Sequence, residues 1–178
     1  MDIFQFIWPE FPAIPGIEFD LARTDDADGI GKLSKSLIEQ GLPGWAWNPN
    51  RVASAIKSSD FLVLVGRARS KMVAFAVMQF GKKDANLSLL AVAKEFQRSG
   101  TGSCLVRFLE NSAFLMGNSR VRLEVRSHNE SALAFYESLG YRRTETLNRY
   151  YSNKETAIRM SRNLQIKPSV EYSFNRED

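Results

Sequence analysis

Hydrophobic residues change their spacing several times along the chain, and each change predicts a strand or a helix. Apolar runs of strand length occur at seven places, and apolar residues three or four positions apart, as on one face of a helix, occur at four. In chain order the predicted elements are β α α β β β α β α β β. Strand–helix–strand units of this kind predict a mixed α/β sheet flanked by helices.

Residue types that cap helices mark the predicted boundaries. Asn48 and Asn129 are N-cap types in front of the second and fourth helices, and Gly41, Gly117 and Gly140 suit C-terminal ends. The predicted helices are Thr24 to about Gln40, Asn50 to Ser58, Gly102 to Gly117 and Asn129 to Gly140, and the predicted strands are Glu18 to Arg23, Phe61 to Ala68, Met72 to Phe80, Leu87 to Val92, Val121 to Arg126, Tyr141 to Leu147 and Glu155 to Met160.

Both ends of the chain differ in composition from the middle. Residues 1–16 carry four aromatic residues among three prolines, which argue against a helix or a central strand. We expect this arm to pack on the domain or on a second subunit, so a homodimer stays open. The tail, residues 163–178, is polar and is expected to fray. The 178 residues are predicted to form a single domain.

Composition and charge narrow the class of ligand. The net charge is +4, but Lys and Arg are spread along the chain, which favours a polyanionic small ligand over a nucleic acid. One cysteine excludes an internal disulfide and one histidine excludes a Cys/His zinc cluster, so no metal is expected. No apolar run approaches the roughly 18 residues of a membrane span. The first residues lack the basic start of a signal peptide, so we expect a cytoplasmic protein with no membrane partner.

The clearest ligand-binding pattern lies between a predicted strand and a predicted helix. Gln97 to Gly102 reads Q-x-x-G-x-G shortly after the strand that ends at Val92. Glycines let the backbone approach a ligand closely, and free N–H groups at the start of a helix attract an anion. A phosphate or pyrophosphate is the natural candidate. A glycine pair between a strand and a helix is also common punctuation, so the turn alone leaves both interpretations open.

Two nucleotide-binding fingerprints are excluded at this turn. The Walker pattern G-x-x-x-x-G-K-S/T is absent from the chain. The Rossmann pattern G-x-G-x-x-G fails because Gly100 and Gly102 are followed at the third position by Leu105. The identity of the anion therefore has to come from another part of the sequence.

A second motif downstream carries a family resemblance. From Leu123 the chain reads LEVRSHNESALAFYESLGYRRTETLNRYYSNKETAIRM. With the Q-x-x-G-x-G turn, this resembles the GNAT superfamily of acetyl-CoA-dependent N-acetyltransferases. More closely, it resembles the bacterial ribosomal-protein alanine N-acetyltransferases and their N-terminal acetyltransferase relatives. The resemblance covers Leu87 to Met160, whereas Met1 to Asn86 match only in the order of elements. It implies a mostly antiparallel sheet with a splay between the strand before the glycine turn and the next strand.

The resemblance implies how acetyl-CoA would be held. The turn would bind the pyrophosphate through backbone N–H groups, and the preceding strand would bond the pantetheine arm edge to edge. The Val92 N–H would also face the thioester oxygen and stabilise the oxyanion. Asn129 would contact the cofactor, although it could equally be a helix cap, or serve in both roles. The implied cofactor-binding residues are Leu90, Ala91, Val92, Gln97, Arg98, Ser99, Gly100, Thr101, Gly102, Ser103, Asn129 and Tyr136.

The resemblance also implies two proton-transfer residues. Glu124 alternates with the apolar Leu123 and Val125, so it points to the other face of its strand. The family would make it the general base, acting through a water, although a solvent-facing strand carboxylate fits the same pattern. Tyr136 would be the acid that protonates the departing thiolate, because a phenol stays protonated at neutral pH. A core tyrosine on an apolar helix face is the plainer interpretation.

Four aromatic residues are candidates for contact with the acceptor. Tyr150 and Tyr151 match the place where the relatives have tyrosines beside the substrate N-terminus, yet either ring could simply pack in a hairpin. Trp45 and Trp47 lie on a Gly/Pro loop, where they could line a substrate mouth or pack on the core. The chain is thus expected to transfer acetyl directly from acetyl-CoA to a primary amine in a ternary complex.

Three functions remain open from the sequence. The acceptor amine could be a protein N-terminal α-amine, or it could be a small molecule such as a polyamine, an amino acid or an antibiotic. A different class of protein would be a catalytically silent acyl-CoA-binding module. The presence of both Glu124 and Tyr136 argues against the silent module.

Overall fold

The strands and helices follow one another in the predicted order. A computed structural model describes residues 14–42, 46–151 and 154–164 of the chain. Within these ranges the elements are β1 Glu18–Leu21, α1 Ala27–Leu37, α2 Pro49–Lys57, β2 Phe61–Ala68, β3 Lys71–Phe80, β4 Asp84–Val92, α3 Thr101–Leu115, β5 Arg120–Arg126, α4 Glu130–Ser138, β6 Arg142–Tyr151 and β7 Glu155–Asn163. Short 3-10 helices at Thr24–Asp26 and Lys94–Phe96 precede α1 and follow β4.

The described strands form one sheet in the order β1-β2-β3-β4-β5-β7-β6. Neighbouring strands run antiparallel except β4 and β5, which are parallel and are connected through α3. A parallel pair needs such a crossover, whereas the antiparallel pairs on either side can be joined by short turns. The prediction of a mixed, mostly antiparallel sheet flanked by helices is confirmed.

Two hydrophobic clusters lie on opposite faces of the sheet. Leu62 and Leu64 of β2 belong to the cluster built with α3 and α4, whereas their neighbours Val63 and Val65 belong to the cluster built with α1 and α2. Alternate residues of a strand point to opposite faces, so both faces of this strand are buried. Leu105 of α3 is fully buried, and burial of such a side chain contributes roughly 1.5–3 kcal/mol.

The strand β4 contains a bulge that changes its direction. Met78 of β3 pairs with Leu87, but the next residue of β3 along the ladder, Val77, pairs with Leu89, so Ser88 is an extra residue on β4. Because of it, Leu87 faces the α3 cluster and Leu89 faces the α1–α2 cluster although they are two positions apart. A bulge bends its strand and increases the local twist.

The bend separates β4 from β5 over the second half of β4. The two strands pair only at Asp84, Ala85 and Asn86, immediately before the bulge. From Leu87 onward β4 stays paired with β3 and diverges from β5. The splay predicted in front of the glycine turn is therefore present, and it opens a cleft between the C-terminal halves of the two strands.

The helices α2, α3 and α4 begin and end near the predicted capping residues, whereas α1 is shorter than the predicted Thr24 to about Gln40, because Thr24–Asp26 form a separate 3-10 helix. The strand β6 continues to Tyr151, past the predicted Leu147, and β4 also differs from its predicted start. The Asn48 side chain accepts a hydrogen bond from the Arg51 N–H at 3.1 Å, so α2 starts as predicted. The strand β4 begins three residues before the predicted Leu87, because Asp84 is held in the sheet by Arg120 on β5 through two bonds of 2.9 Å. A sequence pattern of apolar residues does not show such cross-strand ion pairs.

Some predicted segments lie outside the described residues. These are residues 1–13 of the predicted arm, residues 165–178 of the predicted tail, and the loop residues 43–45, which include Trp45. In the part of the chain that the structure describes, no helix is long and apolar enough to cross a membrane. The single-domain prediction for residues 1–178 stays a prediction.

Candidate active site

The turn between β4 and α3 has the geometry of an anion-binding loop. Gly100 has φ +89°, a left-handed conformation that residues with a Cβ adopt only with strain, and it immediately precedes the first residue of α3. No side chain caps this helix, so the N–H groups of its first turn, Thr101 to Ser103, face outward. The Ser99 hydroxyl donates to the Phe96 carbonyl at 2.6 Å and fixes the shape of the loop.

Gly102 allows α3 and α4 to approach each other at the same place. A Cβ at Gly102 would lie 3.2 Å from Cζ of Phe135, which is closer than ordinary van der Waals contact. The ring of Phe135 in turn packs edge-on against Tyr136, with ring centroids 5.0 Å apart. The second glycine of the motif therefore has a packing role that links the turn to Tyr136.

The strand β4 presents alternate main-chain groups to the cleft. The Ala93 N–H donates to the Val73 carbonyl at 2.7 Å, which makes these two residues a hydrogen-bonded pair of the β3–β4 ladder. Bonded and non-bonded pairs alternate in an antiparallel ladder, so the main-chain groups of Ala91 point to β3 and those of Leu90 and Val92 point away from it. Because this half of β4 is separated from β5, the main-chain groups that point away from β3 point into the cleft.

Gln97 completes the edge of this strand. Its side-chain Nε2 donates to the Val92 carbonyl at 2.9 Å. The carbonyl is thereby occupied, while the Val92 N–H faces the cleft. The hydrogen bond to β4 therefore explains the position of Gln97 without a direct contact to a phosphate.

Asn129 is a helix cap in this structure. Its side-chain oxygen accepts a hydrogen bond from the Ala132 N–H at 3.1 Å at the start of α4, and the residue is exposed. The cap uses the oxygen and leaves the amide nitrogen available as a donor. Both roles considered from the sequence are compatible with this arrangement.

Glu124 lies on the sheet face opposite the α3–α4 cluster, as the alternation of β5 predicts. Its side chain is 12% exposed and its Oε1 accepts a hydrogen bond from Arg159 Nε at 2.8 Å. Arg159 lies directly opposite on β7 and also bonds Glu145 Oε2 of β6 through Nη1 at 2.6 Å. The carboxylate is therefore held by one oxygen and is not a freely solvated surface group.

Tyr136 is buried on α4 among aromatic side chains. It is 8% exposed and packs edge-on against Tyr141 at 5.6 Å between ring centroids. Burial raises the pKa of the Tyr136 phenol above its ordinary value, and the neighbouring Tyr151 raises it further. The phenol consequently keeps its proton throughout the neutral and mildly alkaline range.

Two tyrosines at the end of β6 lie beside Glu124. The Tyr151 hydroxyl donates to the main-chain carbonyl of Glu124 at 3.1 Å, and its ring packs perpendicular to Tyr150 at 5.0 Å. Burial, first, and then the Glu124 carboxylate raise the pKa of Tyr150. Tyr150 is 47% exposed as a residue, whereas the Tyr151 hydroxyl is used to hold β6 against β5.

Trp47 occupies a different position from the two tyrosines. It is 8% exposed, belongs to the α1–α2 cluster, and packs edge-on against Phe61 at 6.4 Å. The Arg51 guanidinium lies 4.3 Å from the centre of the ring. Of the two interpretations left open by the sequence, this placement fits packing on the core. Trp45 is not among the described residues.

Arg126 connects the site to the end of α1. Its Nη1 and Nη2 donate to the carbonyls of Gln40 and Ile38 at 2.9 and 2.8 Å. The same loop is held from within by Glu39, which is buried and accepts the Ala46 N–H at 2.6 Å and the Trp47 N–H at 3.1 Å. Residues 38–40 after α1 are thereby fixed beside the end of β5, where the Arg126 guanidinium lies 6.0 Å from the centre of the Tyr151 ring.

Sequence reasoning missed Arg159, Glu145, Arg126 and Glu39. Arg126 is part of the LEVR motif, but its partners are main-chain carbonyls that carry no sequence signal. Arg159 faces Glu124 only because β7 lies between β5 and β6, and the strand register is not readable from one sequence. Cys104 on α3 is buried, and burial raises the pKa of its thiol to about 11, so it lacks the exposure and the lowered pKa that are typical of reactive cysteines.

The described residues fit acetyl-CoA. The outward N–H groups of the first turn of α3 suit a pyrophosphate, and the main-chain groups of Leu90 and Val92 suit an extended amide arm lying in the cleft. Within the described ranges there is no group of three or more His, Cys, Asp or Glu side chains that could hold a metal ion.

Comparison with known proteins agrees with this geometry. The acetyltransferase (GNAT) domain family matches residues 36–164. The chain is 33% identical over 127 residues to ribosomal protein bS18-alanine N-acetyltransferase of Escherichia coli, covering 70% of this chain and 85% of the relative. It is 27% identical over 167 residues to an N-alpha-acetyltransferase of Saccharolobus solfataricus, covering 84% of this chain and 95% of the relative.

A solved structure shows the same fold. The crystal structure of the ribosomal-protein alanine N-acetyltransferase from Escherichia coli superposes with a TM-score of 0.69 at 28% identity, covering 88% of this chain and 99% of that one. The family resemblance, the fold and the enzyme class predicted from the sequence are confirmed, and acetyl-CoA is the acetyl donor. The chain belongs to the GNAT acetyltransferase family and is an N-acetyltransferase.

Proposed function

We propose that this enzyme acetylates the α-amine at the N-terminus of a protein or peptide. The observation that carries the proposal is the convergence of Glu124, Tyr150 and Tyr151 beside the open edge of β4. A carboxylate suits an ammonium group, and the hydroxyl of the partly exposed Tyr150 suits the first peptide bond of an extended chain. Relatives named for alanine N-acetylation and N-alpha-acetylation support the same acceptor class.

Acetyl-CoA supplies the acetyl group as a thioester, and the turn and strand hold it. Backbone N–H groups from Arg98 to Ser103 bind the pyrophosphate, and each charge-assisted bond contributes roughly 1.5–3 kcal/mol. Leu90 and Val92 offer main-chain groups to the pantetheine arm, and Ala91 between them is the spacer bonded to β3. The Asn129 amide nitrogen is a further donor at the start of α4.

Glu124 accepts the proton that the ammonium must lose before it attacks. Arg159 bonds Oε1, so Oε2 is the oxygen that receives the proton, through a water molecule. As the amine nitrogen bonds to the thioester carbon, negative charge develops on the carbonyl oxygen and the Val92 N–H stabilises it. The carbon–nitrogen bond forms before the carbon–sulfur bond breaks, so no acyl-enzyme intermediate is involved.

Tyr136 donates a proton to the departing thiolate. Its raised pKa ensures that the proton is present, and its burial excludes water from the leaving group. The acetylated nitrogen then loses its second proton, which restores the Tyr136 phenol by way of solvent. The products are the N-acetylated amine, CoA in its thiol form, and the one proton taken up by Glu124. A cytoplasmic location, the absence of nucleic-acid and membrane partners, and a homodimer stay predictions from the sequence.

The acceptor class is tested by following release of the CoA thiol with a panel of amines. We expect release with peptides that have a free N-terminal amine, and no release with the same peptides carrying an N-terminal formyl group and an internal lysine. Release only with polyamines, amino acids or aminoglycosides would contradict the α-amine proposal. Tight CoA binding without release for any amine would instead indicate the silent binding module.

A further inference from the structure

Three charged side chains form a row across β5, β7 and β6. Arg159 lies opposite Glu124 on one neighbouring strand and opposite Glu145 on the other. Its Nε bonds Glu124 Oε1 at 2.8 Å and its Nη1 bonds Glu145 Oε2 at 2.6 Å. The Arg159 guanidinium therefore bonds two carboxylates at once, that of Glu124, whose side chain is 12% exposed, and that of Glu145, whose side chain is 52% exposed.

This arrangement differs from a structural ion pair on the same sheet. Arg120 grips Asp84 with both Nε and Nη2, each at 2.9 Å, and so occupies both carboxylate oxygens. An arginine and a carboxylate normally favour this two-bond fork. Arg159 bonds Glu124 through Nε alone, and its Nη1 bonds Glu145. Its Nη2, the group that completes the fork in Arg120, makes no bond to Glu124.

The single bond matters because a carboxylate gripped at both oxygens is a poor proton acceptor. With Oε1 fixed by Arg159, the carboxylate plane of Glu124 cannot rotate freely, and Oε2 remains for a water or an amine. The hydrogen bond to Glu124 is the largest of the effects that raise the pKa of Arg159, so the guanidinium stays charged while it does this. The row carries a net charge of −1 from its three members, which also suits a cationic acceptor.

We propose that Arg159 is a positioning residue that aims Glu124 Oε2 at the acceptor amine, and that Glu145, by bonding Nη1, holds the guanidinium in the orientation in which only Nε reaches Glu124. The proposal rests on the proposed role of Glu124 as the general base. Arg159 and Glu145 act only through Glu124 and need not contact either substrate.

The first test compares Arg159→Met with Arg159→Lys. For Arg159→Met we expect kcat to fall by about 10- to 100-fold, because small misplacements of a reacting group have effects of this size. The KM for acetyl-CoA should not change, and Arg159→Lys, which keeps the charge and one bond, should recover most of kcat. Arg143→Met is the matched control, because Arg143 pairs with Glu137 through Nε at 2.7 Å on the outer strand of the same hairpin.

A double-mutant comparison separates positioning from a structural role. If Arg159 acts through Glu124, then Arg159→Met should cause no further loss of kcat in an enzyme that already carries Glu124→Gln. An additional loss in that background, equal to the loss in the wild type, would overturn the proposal while leaving the base assignment intact. Wild-type turnover in Glu124→Gln alone would instead overturn the base assignment itself.

Glu145→Gln provides a test that does not threaten folding, because Glu145 is half exposed on the outer strand of the sheet. Removing its charge frees Arg159 to grip both oxygens of Glu124, so we expect a several-fold lower kcat in an enzyme whose thermal unfolding is unchanged. In an enzyme that already carries Arg159→Met, Glu145→Gln should cause no further loss of kcat, since no guanidinium is left to bond Glu124. Unchanged kcat in Glu145→Gln would overturn the role given to Glu145.

Discussion

At the residue scale, the two side chains assigned to proton transfer lie in contrasting surroundings. Glu124 is held at one oxygen by a cation and lies on the sheet face away from the larger core. Tyr136 is enclosed by Phe135 and Tyr141, and burial raises the pKa of its phenol. Amine acetylation requires one group that accepts a proton from the amine and one that donates a proton to the thiolate.

Removing either function should slow the chemical step and leave cofactor binding intact. We expect Glu124→Gln and Tyr136→Phe each to lower kcat by about 10²–10⁴-fold, the usual contribution of a positioned acid or base. The KM for acetyl-CoA should stay near the wild-type value in steady-state assays. Because the pKa of Tyr136 is raised, the phenol of the wild type should not titrate in rate profiles measured up to about pH 10.

Glu137→Gln is the matched control for this pair of variants. Glu137 lies next to Tyr136 on α4 but is half exposed and pairs with Arg143 at the surface. It should keep full turnover. Equal turnover in all three variants would show that neither Glu124 nor Tyr136 transfers a proton in the reaction.

At the element scale, the turn between β4 and α3 combines two demands on one short segment. It must reverse direction through a left-handed residue, Gly100, and it must leave the first N–H groups of α3 without a capping side chain. Most helices use Ser, Thr, Asp or Asn at this position to cap themselves. Giving up the cap costs stability and leaves a binding site for an anion.

Gly100→Ala should therefore weaken the binding of acetyl-CoA in addition to lowering the stability of the fold. A Cβ at φ +89° introduces backbone strain of roughly 1–2 kcal/mol, which we expect the turn to relieve by moving its N–H groups. The KM for acetyl-CoA should rise several-fold. Thermal unfolding and steady-state kinetics measure the two effects separately.

Gly117→Ala is the control, because it introduces similar backbone strain at a position away from the proposed cofactor site. Gly117 has φ +84° at the opposite end of α3, and a Cβ there would meet nothing within 4 Å. It should lower the melting temperature by an amount similar to that of Gly100→Ala and leave the KM for acetyl-CoA unchanged. An equal rise of KM in both variants would remove the assigned role of the turn.

At the scale of the whole molecule, the β5 wall of the cleft is hydrogen-bonded to the end of the first helix. The strand β5 belongs to the C-terminal half, and Arg126 at its end holds the carbonyls of Ile38 and Gln40 after α1. These contacts join residues 86 and 88 positions apart. The acceptor side of the cleft therefore depends on an interaction between the first and the last thirds of the domain.

Arg126→Met should loosen this connection. Loss of two charge-assisted hydrogen bonds is expected to cost about 1.5–3 kcal/mol each at most, and faster amide hydrogen exchange should appear in residues 38–42. We expect a higher KM for the peptide acceptor and an unchanged KM for acetyl-CoA. Arg122→Met is the control, since Arg122 lies on the same strand and pairs with Asp84, which Arg120 also holds. A matching rise in acceptor KM for Arg122→Met would argue against a specific role of Arg126.

Local patterns predicted much of this architecture, and partners distant in sequence were not predictable. The order of elements, the caps at Asn48 and Asn129 and the glycine turn depend on residues near one another in the chain. The hydrogen bond between Arg159 and Glu124 depends on the order of the strands in the sheet, which one sequence does not show. The bulge in β4 also leaves no mark in the sequence pattern. Because β4 is buried on both faces, Leu87 and Leu89 look equivalent in the sequence although they face opposite clusters.

The extra residue at position 88 has a consequence at the level of the gene. The bend of β4 depends on the number of residues in the strand and only weakly on which residue stands at Ser88. Missense changes at this codon should be tolerated, whereas an in-frame deletion of the same codon would straighten the strand and allow it to continue pairing with β5. The opening between β4 and β5 thus depends on the number of codons in one strand more than on the identity of the residue at position 88.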